Sequence, residues 1–177
     1  MARTLYRNYN PLQLGLTAAN ATTGVWALLL SQTGMPAGMV TLHKNAAATN
    51  TVIHFGIPQG PKGGLPTCED ARVSIIEVFY KVQTANLSSA PTAVLNKITN
   101  PGAAGTGIAA LAAVTQSLTF AGVDSVGTTS TNGDHIAVIT VTTPFTPNDN
   151  ESLHLQLTMN EAGTTVLDIT GMSVTYL

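Results

Sequence analysis

SLHLQLTM, residues 152–159, sets Leu153, Leu155, Leu157 and Met159 on one side and His154, Gln156 and Thr158 on the other. Successive side chains of a β-strand point to opposite faces, so this strict alternation predicts a strand with one face on a core and one in water. A surface helix needs apolar residues at i, i+3, i+4 and i+7, and no long segment of the chain has that spacing.

The same period recurs on either side of this strand. HIAVITVTT (135–143) precedes it across the polar turn TPNDNES, and Asn132-Gly133 supplies the positive φ angles of a tight turn just before. VLDIT and MSVTYL follow it as a final strand pair separated by Gly171, which predicts that the last residues are held in a sheet. Further strands are read at 116–122, 92–99, 51–57, 38–43 and 24–31. In the long run 71–84 the apolar face switches between Ile75 and Ile76, which predicts a β-bulge. GIPQGPKGGLP (56–66) is read as a loop, and within the Ala- and Gly-rich stretch 102–114 a short helix is expected at 108–114. Eight to ten short strands without a fixed-period repeat predict an all-β fold, a jelly-roll-like antiparallel β-sandwich at 21–177. Residues 1–20 are read as an extended N-terminal arm, since Arg3, Tyr6, Arg7 and Tyr9 followed by Pro11 carry no core pattern.

Only 9% of the residues are charged, against roughly 25% in an ordinary globular chain. Neutral polar groups take over the wetting of the surface, among them 27 threonines. With a net charge of −2, copies repel one another weakly and association is favoured. All seven basic residues lie in 1–97 with Glu69, Asp70 and Glu77, giving +7 − 3 = +4; the six acidic residues from 98 onward give −6. This division fits complementary surfaces on adjacent copies, or drift without consequence. The single Cys68 cannot close an internal disulfide and is read as a buried or idle thiol. No apolar run has the length of a signal peptide or a membrane span, so neither is expected.

Motifs for chemistry are sparse. There is no G-x-S-x-G, and Lys62 among Gly60, Gly63 and Gly64 lacks the spacing of a phosphate loop. His43, His54, His135 and His154 show no short ligand spacing, although metal-dependent jelly-roll enzymes do collect strand histidines. Asp149 and Glu151 lie in a polar turn without the EF-hand pattern. The three Asn-x-Ser/Thr matches are expected by chance in so Asn- and Thr-rich a chain. The chain is therefore expected not to be an enzyme, to have no catalytic residue and to need no cofactor or metal. Only Arg3, Tyr6, Arg7 and Tyr9 combine basic and aromatic groups, too short a stretch for a nucleic-acid stripe, so they are read as a docking arm.

A short basic arm, few charges, abundant Thr, Ala and Gly and a closing ITGMSVTYL together resemble small virion proteins of bacteriophages. That resemblance implies a jelly roll in a capsid, head decoration or tail appendage. It also implies assembly as the function, copies of itself and other virion proteins as partners, and a place in the virion after assembly in the host cytoplasm. It supplies no functional residue. The alternative is a receptor- or carbohydrate-binding sandwich on a tail or fibre, with a host surface glycan or receptor as partner; membrane and nucleic acid are not expected partners.

Overall fold

The computed structural model describes residues 5–9, 17–19, 26–30, 37–45, 51–58, 71–84, 86–99, 110–122, 133–148, 150–160 and 164–177. Among these residues twelve strands, numbered in chain order, fall into two antiparallel sheets. The first runs β3 (Trp26–Leu30), β4 (Val40–Lys44), β12 (Val166–Tyr176), β6 (Val73–Thr84), β10 (Gly133–Phe145), β9 (Gln116–Gly122), and β1 (Leu5–Tyr9) also pairs with β12. The second runs β2 (Thr17–Ala19), β5 (Thr51–Ile57), β11 (Glu151–Met159), β7 (Thr92–Thr99), β8 (Ala110–Ala113). Its inner order β4-β12-β6-β10 over β5-β11-β7-β8 is that of a jelly roll, in which the chain crosses repeatedly between sheets.

The alternation that predicts the strands also builds the core. Leu153, Leu155, Leu157 and Met159 of β11 are buried, as are Ile53, Phe55 and Ile57 of β5 beside them. Ile76, Val78, Tyr80 and Val82 of β6 and Ala137, Ile139 and Val141 of β10 complete the layer from the other sheet. Each such aliphatic side chain contributes roughly 1.5–3 kcal/mol by leaving water, so this double layer is the main support of the fold.

The bulge expected in β6 is present, one residue earlier than the pattern placed it. Thr175 faces Ile75 while Tyr176 faces Val73, so Ser74 is the extra residue, and its hydroxyl donates to the Thr175 carbonyl at 3.1 Å. The expected helix at 108–114 is corrected: Ala110–Ala113 form β8, because pairing with Thr99–Asn96 of β7 satisfies the backbone there. The final two strands are one, β12, which continues through Gly171 with a register shift between Ile169 and Gly171. Within the segment read as an arm, Leu5–Tyr9 and Thr17–Ala19 take part in the sheets. Arg3, Cys68, Lys62 and most of the 56–66 loop lie outside the described residues.

The division of charge along the chain is used within one molecule. The jelly roll sets β6 against β10 and β7 against β11, so Lys81 meets Asp134 at 4.0 Å and Lys97 meets Glu151 at 2.6 Å.

Candidate functional site

β12 has one edge fully taken by β6 and the other divided between two strands. β4 takes Leu167–Ile169, and β1 takes Met172–Tyr176 in the register Leu5 to Tyr176 through Tyr9 to Met172. The docking residues named from the sequence therefore sit on a strand added to an edge: Tyr6, Arg7 and Tyr9 lie in β1, with Arg7 exposed and Tyr9 half-buried against the core. Main-chain pairing gives such a strand affinity, while alternate side chains give it register.

The seat of β1 is shaped at both ends. A Cβ placed on Gly171 would lie 2.8 Å from the Tyr9 carbonyl oxygen, so only glycine admits the end of β1 at this distance. At the other end the Tyr176 hydroxyl donates to the Pro58 carbonyl at 2.7 Å, and burial followed by the adjacent Tyr9 hydroxyl raises its pKa far above the usual phenol range. Beyond it, Arg72 and Leu177 exchange two backbone hydrogen bonds of 2.8 and 2.9 Å that close the end of the sheet.

The outer face of the first sheet carries an apolar strip. Ile75 and Phe79 of β6 and Ile136 and Val138 of β10 point outward and stay half-exposed, with Phe79 directly opposite Ile136. Around them lie Thr140, Ser117 and Thr119; Glu77 stands between Ile75 and Phe79, opposite Val138, and the Lys81–Asp134 pair follows Phe79 and Ile136 on the same face. Farther along the same face is a buried polar cluster. Asp168 accepts from Thr41 Oγ1 at 3.1 Å, from His43 Nδ1 at 2.8 Å and from Gln83 Nε2, while Asn45 Oδ1 lies 3.0 Å from His43 Nε2.

The four histidines do not converge. His43 belongs to the Asp168 cluster, and His135 is buried in the core, stacked on Tyr80 at 5.1 Å between ring centroids. His54 and His154 meet on the outer face of the second sheet, Nδ1 to Nε2 at 3.1 Å, with rings stacked at 4.9 Å. Among the described residues no three His, Cys, Asp or Glu groups gather as a metal site. Nor is any helix there long and apolar enough to cross a membrane. Neither histidine pairing was legible in the sequence, because the partners are 125 and 100 positions apart.

Acid should weaken this structure in two stages. Desolvation, then the charge of His54, lowers the pKa of His154 from its ordinary 6.5, so folding disfavours its protonation and stability falls as the pH drops below 6.5. Hydrogen bonds from Lys97 and the Asn148 amide lower Glu151 from 4.5, and the stability they confer is lost as the pH falls through that lowered value. Urea midpoints measured from pH 8 to pH 2.5 are expected to drop first below 6.5 and again below 4.5, and the upper step should vanish in His154→Gln.

Fold and site together define a jelly-roll sandwich whose N-terminal strand is seated on the edge of its C-terminal strand. No family model matches the sequence, and no curated protein matches it. Among solved structures, the chain is similar to one described as the conserved carbohydrate esterase of Shiga toxin-encoding bacteriophage phi24B. The likeness covers 93% of this chain and 91% of that one, with 18% identity and a TM-score of 0.40. It transfers neither activity nor substrate nor any residue. That protein is described as an esterase, and the expectation that this chain is not an enzyme is withdrawn. Missing local motifs were no ground for that expectation, since the fold pairs residues as distant in sequence as His43 and Asp168, 125 positions apart. In this chain the outer nitrogen of His43 faces Asn45, which any hydroxyl nucleophile would have to displace.

Proposed function

We propose that this chain is a structural component of a virus particle, a capsid, decoration or appendage protein that works by docking against copies of itself and other virion proteins. The outer face of the first sheet carries the proposal. A strip made of Ile75, Phe79, Ile136 and Val138 leaves four large apolar side chains half-exposed side by side, with Glu77 among them and the Lys81–Asp134 pair at the end, which resembles an apolar interface patch with a polar rim. The low charge of the whole chain supports the same reading, since it removes long-range repulsion between copies. β1 supports it as well, as a short edge strand held by main-chain pairing.

The test is sedimentation velocity of the purified chain across a hundredfold range of concentration, alone and with particles. Association is expected, and Ile136→Glu should weaken it by at least about tenfold, since a desolvated carboxylate at an interface costs more than about 1.4 kcal/mol. Because Ile136 points away from the core, its thermal midpoint should move little. A chain that stays monomeric throughout and never co-sediments with particles would sink this reading. Saturable binding on a glycan array by that same monomer would favour the receptor-binding alternative.

A further inference from the structure

We propose that His54 and His154 form a binding site for a divalent transition-metal ion, such as zinc, nickel or copper, on the outer face of the second sheet. The two strands place the rings on diagonal cross-strand positions: Gln156 faces His54, and Gly56 faces His154. The rings lie nearly parallel, 10° apart, with His54 Nδ1 and His154 Nε2 separated by 3.1 Å. Two imidazole nitrogens bound at about 2.0–2.1 Å to one ion stand about 2.8 Å apart at a right angle and about 3.4 Å apart at the tetrahedral angle. The observed separation falls between the two, so an ion can replace the proton the rings now share with a shift of a few tenths of an ångström.

Room for the ion comes from Gly56. This residue is exposed, and a Cβ built on it meets nothing within 4 Å. Any larger residue there would project beside His154 on the same face, whereas glycine leaves space for an ion with its waters. On the other flank of His154 stands Asn96, and His54 is paired on its far side with Thr17. Every cross-strand neighbour of the pair is thus neutral, and no cation at these positions opposes a second positive charge. Imidazole donors suit zinc, nickel and copper, with copper bound tightest. The remaining coordination positions face solvent and go to water or to a donor from outside the chain. The site is independent of the interface proposed above, which lies on the other sheet.

Isothermal titration of tag-free, EDTA-treated protein with zinc or nickel chloride tests the proposal. One ion per chain is expected at pH 7.5. Both His54→Ala and His154→Ala should weaken binding by about tenfold or more. Gly56→Val should weaken it too while leaving both imidazoles in place. Ring-nitrogen NMR should show His54 Nδ1 and His154 Nε2 moving together on titration. Absence of saturable binding would overturn the proposal. So would binding that survives in the double alanine variant, or an ion that leaves the two ring nitrogens unshifted.

Discussion

Asp168→Ala is expected to lower the stability of the folded chain by about 3 kcal/mol, the range found when one partner of a buried polar pair is deleted. Asp168 is fully buried on the central strand β12, and its carboxyl group is the common acceptor for Thr41, His43 and Gln83. Alanine removes the acceptor and leaves those donors in a site closed to water, where each unsatisfied donor costs about 1–3 kcal/mol. Asp168→Asn keeps the shape and one oxygen able to accept from Thr41 and His43, so most of the loss should be recovered. Urea denaturation of the two variants checks this. Equal stability of Asp168→Ala and the parent chain would mean that the cluster contributes nothing net.

Gly171→Val is expected to unseat β1. Even a methyl group at position 171 would stand 2.8 Å from the Tyr9 carbonyl oxygen, and neither backbone can yield easily because β12 is also pinned to β6 on its far side. Strain of this kind costs about 1–3 kcal/mol. β1 is the cheaper element to move, since it is a five-residue strand with β12 as its partner in the sheet. Tryptic cleavage after the exposed Arg7 should therefore rise by at least about tenfold, following the open population that about 1.4 kcal/mol or more creates. Met172–Tyr176, freed of β1, should lose amide-exchange protection at the same time. If cleavage and exchange stay at parent levels, β1 is not seated as described. Should the variant show weaker self-association as well, the arm strand and the outer face would be acting together.

Legibility differed from element to element. SLHLQLTM and QSLTFAG were readable to within a residue because a period of two coincides with burial on one side, while TAVLNKIT, buried at the consecutive Leu95 and Asn96, was readable from its β-forming residues between Pro91 and Asn100. β8 was not, since Ala and Gly give no periodicity and the strand exists through its pairing with β7. Leu5–Tyr9 was read as an arm for the same reason: an edge strand joined through its main chain leaves little imprint on its side chains.

Local periodicity and composition are enough for the all-β sandwich and the scarcity of charge, but not for the number of strands, since twelve are described where eight to ten were expected. Which charges meet was decided by the tertiary structure alone. Lys81 beside Asp134 and Lys97 beside Glu151 turn a positive half and a negative half into pairs within one molecule. His43 with Asp168 and His54 with His154 are likewise products of the crossings between sheets. Local pattern fixes the face on which a side chain stands, but the partner across the sheet depends on jelly-roll order, which brings together residues a hundred or more positions apart.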